Sequence, residues 1–341
     1  MLFSIVAVLF FSCGIIKQID FAIKGVRMIK KSEETYYYGK KISFVLYKDA
    51  IFIPCKINDT MSLVYYDSEM SGMNVRHGLL REEISGNAKL PKCNKTIKLR
   101  AKNDSNQRVV IKSGLKYYNL ESDFFYFKNL VGVITSVSND TITSECIFEK
   151  KQNRFTIGKD VFPNRKGSML LNFSDTTITL LDSISTYDTT GFTFVKSLNS
   201  CEGLTICLTI DSIEYAFVFN TGFSGFLSLP QYAKHRKCLI VDGNFKCDHF
   251  YVQYEKHKKE NDMLIVSYRE QNIIDTLITQ QTNTITMGDW DSISGEIHYV
   301  KKLTRPVMGM EFISHFDWII DIYKQKIYVK KIKESDKKEN E

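Results

Sequence analysis

The stretch Phe219-Asn220-Thr221-Gly222-Phe223-Ser224-Gly225 decides the reading of this chain. It follows the apolar run Tyr215 to Val218 and leads into Phe226-Leu227-Ser228-Leu229-Pro230. A β-rich run that ends in small polar residues and then resumes as apolar residues reads as strand, tight loop, strand. Glycine suits such a loop, because a sharply turning backbone needs positive φ or close approach by another segment. A loop of this kind holds a polar side chain at a fixed place.

Working outward, the same pattern recurs in the first half of the sequence. Lys56-Ile57-Asn58-Asp59-Thr60-Met61-Ser62-Leu63-Val64-Tyr65-Tyr66-Asp67-Ser68-Glu69-Met70-Ser71-Gly72 matches the run from Thr209 to Gly225 without a gap. Each copy has a strand, a turn at Asn58-Asp59 or Asp211-Ser212, a second strand, and a polar turn ending in Ser-Gly. A second pair of matches keeps nearly the same offset. Phe155-Thr156-Ile157-Gly158, followed by Leu170-Leu171-Asn172-Phe173 and Ile178-Thr179-Leu180, corresponds to Pro306-Val307-Met308-Gly309, followed by Ile319-Ile320-Asp321-Ile322 and Ile327-Tyr328-Val329. Two motif pairs at one offset predict two related lobes.

Between these motifs, β-branched and aromatic residues form short runs separated by Asn, Asp, Gly and Ser turns: Ile42 to Tyr47, Ala50 to Ile57, Ser62 to Tyr66, Arg108 to Ile111, Asp123 to Phe127 and Leu130 to Val137. Helical periods are scarce, so the fold class is all-β, with two barrel-like lobes and a cleft between them. The expected division is a leader at 1–13, a tether at 14–41, a first lobe at 42–182, a connection at 183–200, a second lobe at 201–332 and a charged tail at 333–341.

Composition sets the outer bounds. At 341 residues, 43% hydrophobic and 13% aromatic, the protein is long and apolar enough for two cores. A net charge of +7 comes from 46 basic against 39 acidic residues, and they are interspersed rather than gathered into a basic stripe. No nucleic-acid partner is therefore expected. The apolar run Met1 to Ser12 suits the core of a signal peptide and is too short to span a bilayer. It implies an exported protein. Phe11-Ser12-Cys13-Gly14 resembles a relaxed bacterial lipoprotein box, which would make Cys13 the lipidated residue and the membrane a partner through an N-terminal lipid or anchor. Plain signal cleavage or an uncleaved anchor are the alternatives. Cys201 with Cys207 and Cys238 with Cys247 are local disulfide candidates. His235, Cys238, Cys247, His249 and His257 have metal-like spacing with nothing else in support, so neither a metal nor a cofactor is expected.

The duplicated order of hairpin, polar turn and glycine element resembles the pepsin-like and retropepsin-like aspartic peptidases over roughly residues 42–332. Thr156-Ile157-Gly158 and Val307-Met308-Gly309 are similar to that family's hydrophobic-hydrophobic-Gly elements, and the closing segment from Met308 to Val329 looks like the C-terminal end of exported bacterial members. The resemblance places Asp67 and Asn220 at the two catalytic positions, with Ser68, Glu69, Thr221, Gly222, Gly158 and Gly309 in support. Two close carboxyls share a proton, so that one activates water while the other protonates the scissile carbonyl. Asn220 cannot exchange a proton in that range. Glu69 stands where the family has glycine, and a side chain there is expected to strain the turn or place a second carboxylate beside Asp67. It can replace the missing acid only by crossing toward the dyad. The resemblance thus implies a catalytically impaired, peptidase-like protein with extended peptides as cleft partners. An active endopeptidase with an unusual dyad and a structural or surface-interaction protein with a closed cleft are the alternatives. Tyr117-Tyr118 and Phe124 to Phe127 lie where pepsin-like members carry a flap, and core packing is the competing reading.

Overall fold

The computed structural model describes residues 15–47, 49–76, 93–102, 108–137, 154–159, 167–195, 197–200, 203–210, 213–230, 239–241, 244–246, 278–288, 290–300, 303, 305–321 and 326–332. A helix at Ile15–Ile29 precedes β1 (Glu33–Tyr36), β2 (Lys41–Ser43), β3 (Val45–Tyr47), β4 (Ala50–Ile57), β5 (Thr60–Asp67), β6 (Met73–Arg76), β7 (Lys95–Lys102) and β8 (Arg108–Ser122). Next come β9 (Phe125–Val137), β10 (Arg154–Gly158), β11 (Ser168–Asn172), β12 (Thr177–Leu181), β13 (Thr193–Val195), β14 (Ser197–Ser200), β15 (Gly203–Ile210) and β16 (Ile213–Phe219). The remaining strands are β17 (Leu227–Pro230), β18 (Leu239–Val241), β19 (Asn244–Lys246), β20 (Ile278–Met287), β21 (Trp290–Val300), β22 (Val307–Met308), β23 (Phe316–Asp321) and β24 (Lys326–Lys331). The fold is all-β.

The repeat read from the sequence is repeated in the hydrogen bonding. In the first half, β9, β6, β10, β5, β4 and β8 form a closed cycle, with β8 returning to β9. In the second half, β21, β17, β22, β16, β15 and β20 do the same, with β20 pairing both β21 and β15. Strand senses agree step for step. The β9–β6 and β10–β5 pairs are parallel, as are β21–β17 and β22–β16, and the other pairs in each cycle are antiparallel. Register agrees too, since Ile157 lies opposite Tyr66 and Met308 opposite Phe219.

Local chemistry explains the hairpins. β4 and β5 meet at Asn58-Asp59, whose φ angles of 47° and 70° match a two-residue turn with both central residues left-handed. Asn and Asp tolerate that region better than other side chains, and its twist matches the flanking strands.

A separate six-stranded sheet, β13-β24-β23-β11-β12-β2, draws on both halves. Its middle pair is β11 with β23, so Leu170 faces Ile319 and Leu171 faces Trp318 across the ladder. The equivalent segments of the two copies therefore pair with each other, flanked by β12 and β24 and then by β2 and β13. A continuous apolar cluster runs from Ile51, Ile53 and Phe125 through Leu171 and Trp318 to Phe217 and Phe312. Tyr118, Phe124, Phe125 and Phe127 belong to this core or its wall, which favours packing over a flap.

Several expectations need correction. Residues 15–36, read as part of a tether, form a helix and a strand: Phe21 and Met28 are buried against Ile97, Leu115 and Val131, and β1 pairs with β9. The connection at 183–200 contributes β13 to the shared sheet rather than merely spanning the lobes. The run from Ile42 to Tyr47 is broken at Phe44 into β2 and β3, which serve different sheets. Cys13, Cys201, Cys238, Cys247, His235, His249, His257 and the tail lie outside the described residues. Among the described residues, no helix is long and apolar enough to cross a membrane.

Candidate functional site

β5 and β16 carry the two polar turns, and the strands' apolar faces bury both turns deeply. Tyr66 and Phe219 are about 1% exposed, and the residues that follow them lie at the junction of the two halves. Asp67, Ser68, Asn220 and Thr221 are all buried, and Thr221 is completely so.

The turns are joined by a reciprocal set of hydrogen bonds. The Ser68 amide donates to Thr221 Oγ1 at 2.9 Å, and the Thr221 amide donates to Ser68 Oγ at 2.9 Å. Each hydroxyl then donates onward to the opposite strand: Ser68 Oγ to the Phe219 carbonyl at 2.8 Å, and Thr221 Oγ1 to the Tyr66 carbonyl at 3.1 Å. Two hydroxyls thus serve two buried amides and two buried carbonyls across the junction.

Asp67 and Asn220 close their own turns in the same manner. Asp67 Oδ1 accepts from the amides of Glu69 at 3.0 Å and Met70 at 3.2 Å, and Asn220 Oδ1 accepts from the amide of Gly222 at 2.7 Å. Such side-chain-to-backbone closure is the usual work of Asp and Asn in turns. The Asp67 carboxyl lies directly against the opposite turn, because a Cβ added at Gly222 would be 2.7 Å from Asp67 Cγ. Gly222 is therefore required by close approach rather than by positive φ.

Gly158 and Gly309 occupy matching places behind the turns. A Cβ at Gly158 would run into the Met70 carbonyl, and one at Gly309 into the Gly225 carbonyl. Their amides donate to Gly72 and Phe226 carbonyls at 2.8 and 2.9 Å, which pins each turn to its parallel strand.

Glu69 does not take up a left-handed backbone, a conformation that Gly72 takes in this turn at φ 73°, and its side chain makes the crossing toward position 220 that a replacement acid would need. Its carboxylate crosses to the second half, where Oε2 accepts from Asn220 Nδ2 and Oε1 pairs with the Arg305 guanidinium. Both side chains are largely buried, with 10% of Glu69 and 24% of Arg305 exposed. Burial lowers the Arg305 pKa to about 10, which leaves it protonated at neutral pH. Burial also pushes up the Tyr66 hydroxyl, helped by the charge of Asp67.

Sequence reasoning brought together Asp67, Ser68, Glu69, Asn220, Thr221, Gly222, Gly158 and Gly309, and the structure places them around one junction. It missed Arg305. A signal was present: Arg154 stands four residues before Gly158 as Arg305 stands four before Gly309, so the second motif pair extends one residue further back than its apolar core.

The two Glu69 carboxylate oxygens are taken up by an amide donor and a guanidinium of the second half. No metal-holding group of three or more His, Cys, Asp or Glu occurs among the described residues. The arrangement presents one buried carboxyl, Asp67, beside an amide, a second carboxylate and a guanidinium.

No family model matches this sequence, and no curated protein matches it. Among solved structures, basic 7S globulin from soybean is similar at a TM-score of 0.41 and 8% identity, over 88% of this chain and 94% of that chain. A likeness at that level carries no argument about what this protein does.

Proposed function

We propose that this is a protein of the bilobal, pepsin-like aspartic-peptidase architecture that lacks ordinary proteolytic activity and binds extended peptide segments between its lobes. The observation that carries the reading is the reciprocal Ser68–Thr221 hydrogen bonding, which sets Asp67 and Asn220 at equivalent places on two back-to-back turns. A carboxyl at one place and an amide at the other leaves the pair without its second proton carrier. Loss of one general acid or base typically removes about a hundredfold to ten-thousandfold in rate.

A second reading, in which the cleft is closed and the protein is structural, draws support from the Glu69 contacts that tie the two halves together. An export signal and membrane attachment through Cys13 complete the proposal; both rest on the sequence alone.

The test is acid-range cleavage of a denatured protein substrate. The parent is expected to be inert, and the double change Asn220→Asp with Glu69→Gly is expected to create activity that Asp67→Ala abolishes. Cleavage by the parent that is lost in Asp67→Ala would establish an active endopeptidase instead. A folded double variant that stays inert would remove the peptidase-like site geometry from consideration. Peptide binding without turnover separates the open cleft from the closed one.

A further inference from the structure

Asn220, which stands at an acid position, and Glu69, which stands at a glycine position, meet in space. We propose that Asn220 and Arg305 form a carboxylate-binding pair in the second lobe, occupied in the structure by the protein's own Glu69, and that acidic peptide segments are its external ligands. The choice of peptide rests on the cleft reading above; the donor pair does not.

The backbone at both donors is fixed by neighbouring strands of the second lobe. Asn220 follows β16 and Arg305 precedes β22, and the two strands run parallel, with the Val218 amide donating to the Pro306 carbonyl at 3.0 Å and the Asn220 amide to the Met308 carbonyl at 3.0 Å. The strand pairing that brings positions 220 and 305 near each other does not involve Glu69. Asn220 Oδ1 is taken by the Gly222 amide, so Nδ2 is the end of the side chain turned toward the junction, and it donates to Glu69. An aspartate at this place would offer only acceptors and would repel a carboxylate. The amide is what a carboxylate guest requires.

Arg305 supplies the charge. A largely buried guanidinium calls for an anion, and its planar fork matches a carboxylate in both geometry and charge. Glu69 provides that anion from the opposite half, on the turn that follows β5. A carboxylate from solution would compete with Glu69 for these two donors. The carboxylate of an Asp or Glu residue, or the terminal carboxylate of a peptide, has the matching chemistry.

The experiment uses the full-length protein with Glu69→Gly, the residue that stands at the equivalent place in the other turn. Its melting temperature is expected to rise with added acetate and not with chloride at equal ionic strength, in the saturable manner of a ligand that binds only the folded state. Adding Arg305→Met should abolish the response. An Asp-containing peptide should bind Glu69→Gly about tenfold to a hundredfold more tightly than its Asn isostere, the range expected for a charge-assisted hydrogen bond. Acetate acting no better than chloride, or acting equally after Arg305→Met, overturns the proposal. Should Glu69→Gly fail to fold, Asn220→Asp decides the matter: it sets two carboxylates together, so its melting temperature should fall below the parent's at pH 7 and recover toward pH 4. Equal melting temperatures at both pH values overturn the proposal. An acetate response without peptide binding upholds the pair and refutes the cleft reading, whereas peptide binding without an acetate response refutes the pair alone.

Discussion

Replacing Thr221 by valine keeps its shape and removes its hydroxyl, which is the most direct test of the junction. Thr221 is fully buried, and its Oγ1 accepts from the Ser68 amide at 2.9 Å and donates to the Tyr66 carbonyl at 3.1 Å. Valine leaves both backbone groups buried without that partner. An orphaned buried donor or acceptor costs about 1–3 kcal/mol, and partial relaxation brings the expected total for the two to about 2–4 kcal/mol. Thr221→Ser retains the hydroxyl and loses only a methyl group, at about 1 kcal/mol. Urea unfolding followed by two spectroscopic probes measures both, provided the probes coincide and the slope is unchanged. Ser68→Ala breaks the same reciprocal set, so the Thr221→Val and Ser68→Ala double variant should show a coupling of about 0.5–3 kcal/mol rather than simple additivity. Equal destabilisation by Thr221→Val and Thr221→Ser would refute the reasoning, since it would show that the hydroxyl contributes nothing at the junction.

Two further outcomes follow from burial. Trp318 is fully buried on β23 against Phe219 and Phe316, and its Nε1 donates to the Ile313 carbonyl at 2.8 Å, so Trp318→Ala should cost about 3–5 kcal/mol in the same unfolding assay. The pKa values of Tyr66 and Tyr118 are raised, chiefly by burial, with smaller contributions from the charges of Asp67 and Cys93 respectively. Above about pH 10 the unfolded state loses these protons while the native state retains them, so stability should fall as pH rises from there. Tyr66→Phe should flatten part of that fall in melting temperature between pH 9 and pH 11. An unchanged slope would show that Tyr66 ionises normally.

How much of this was legible in the sequence depends on the range of the interaction. The hairpin turn at Asn58-Asp59 and the span of β4 could be read directly, because turn chemistry and β-branched runs are local signals. The duplication was legible because it rests on two motif pairs, and the paired cycles of strands bear out the two-lobed all-β reading. The helix at Ile15–Ile29 was missed although Gln18, Phe21, Gly25 and Met28 are spaced three or four apart on its inward face. The exposed Lys24 and Arg27 gave the stretch a polar, basic composition that hid the period. Glu69 shows the opposite limit. Its partner Arg305 is 236 residues away, and no local pattern states which residue will reach across a junction.

Ser68 and Thr221 join the two halves in a way both turns share, whereas Glu69 and Asn220, which distinguish the turns, add a bond of their own across the junction. Ser68 and Thr221 bond each other and the opposite strands, whereas Asp67 and Asn220 spend a side-chain oxygen on closing their own turns. A carboxylate and a carboxamide serve that closure equally well, since each presents an acceptor oxygen to a backbone amide. Asp or Asn at position 220 is therefore nearly neutral for the turn itself. The difference falls on the other end of the side chain, where the amide donates to Glu69 and a carboxylate would face it as a like charge. Position 220 thus affects the chemistry of the junction far more than its architecture. This is why two turns with nearly the same backbone bonding hold an acid in one and a donor in the other.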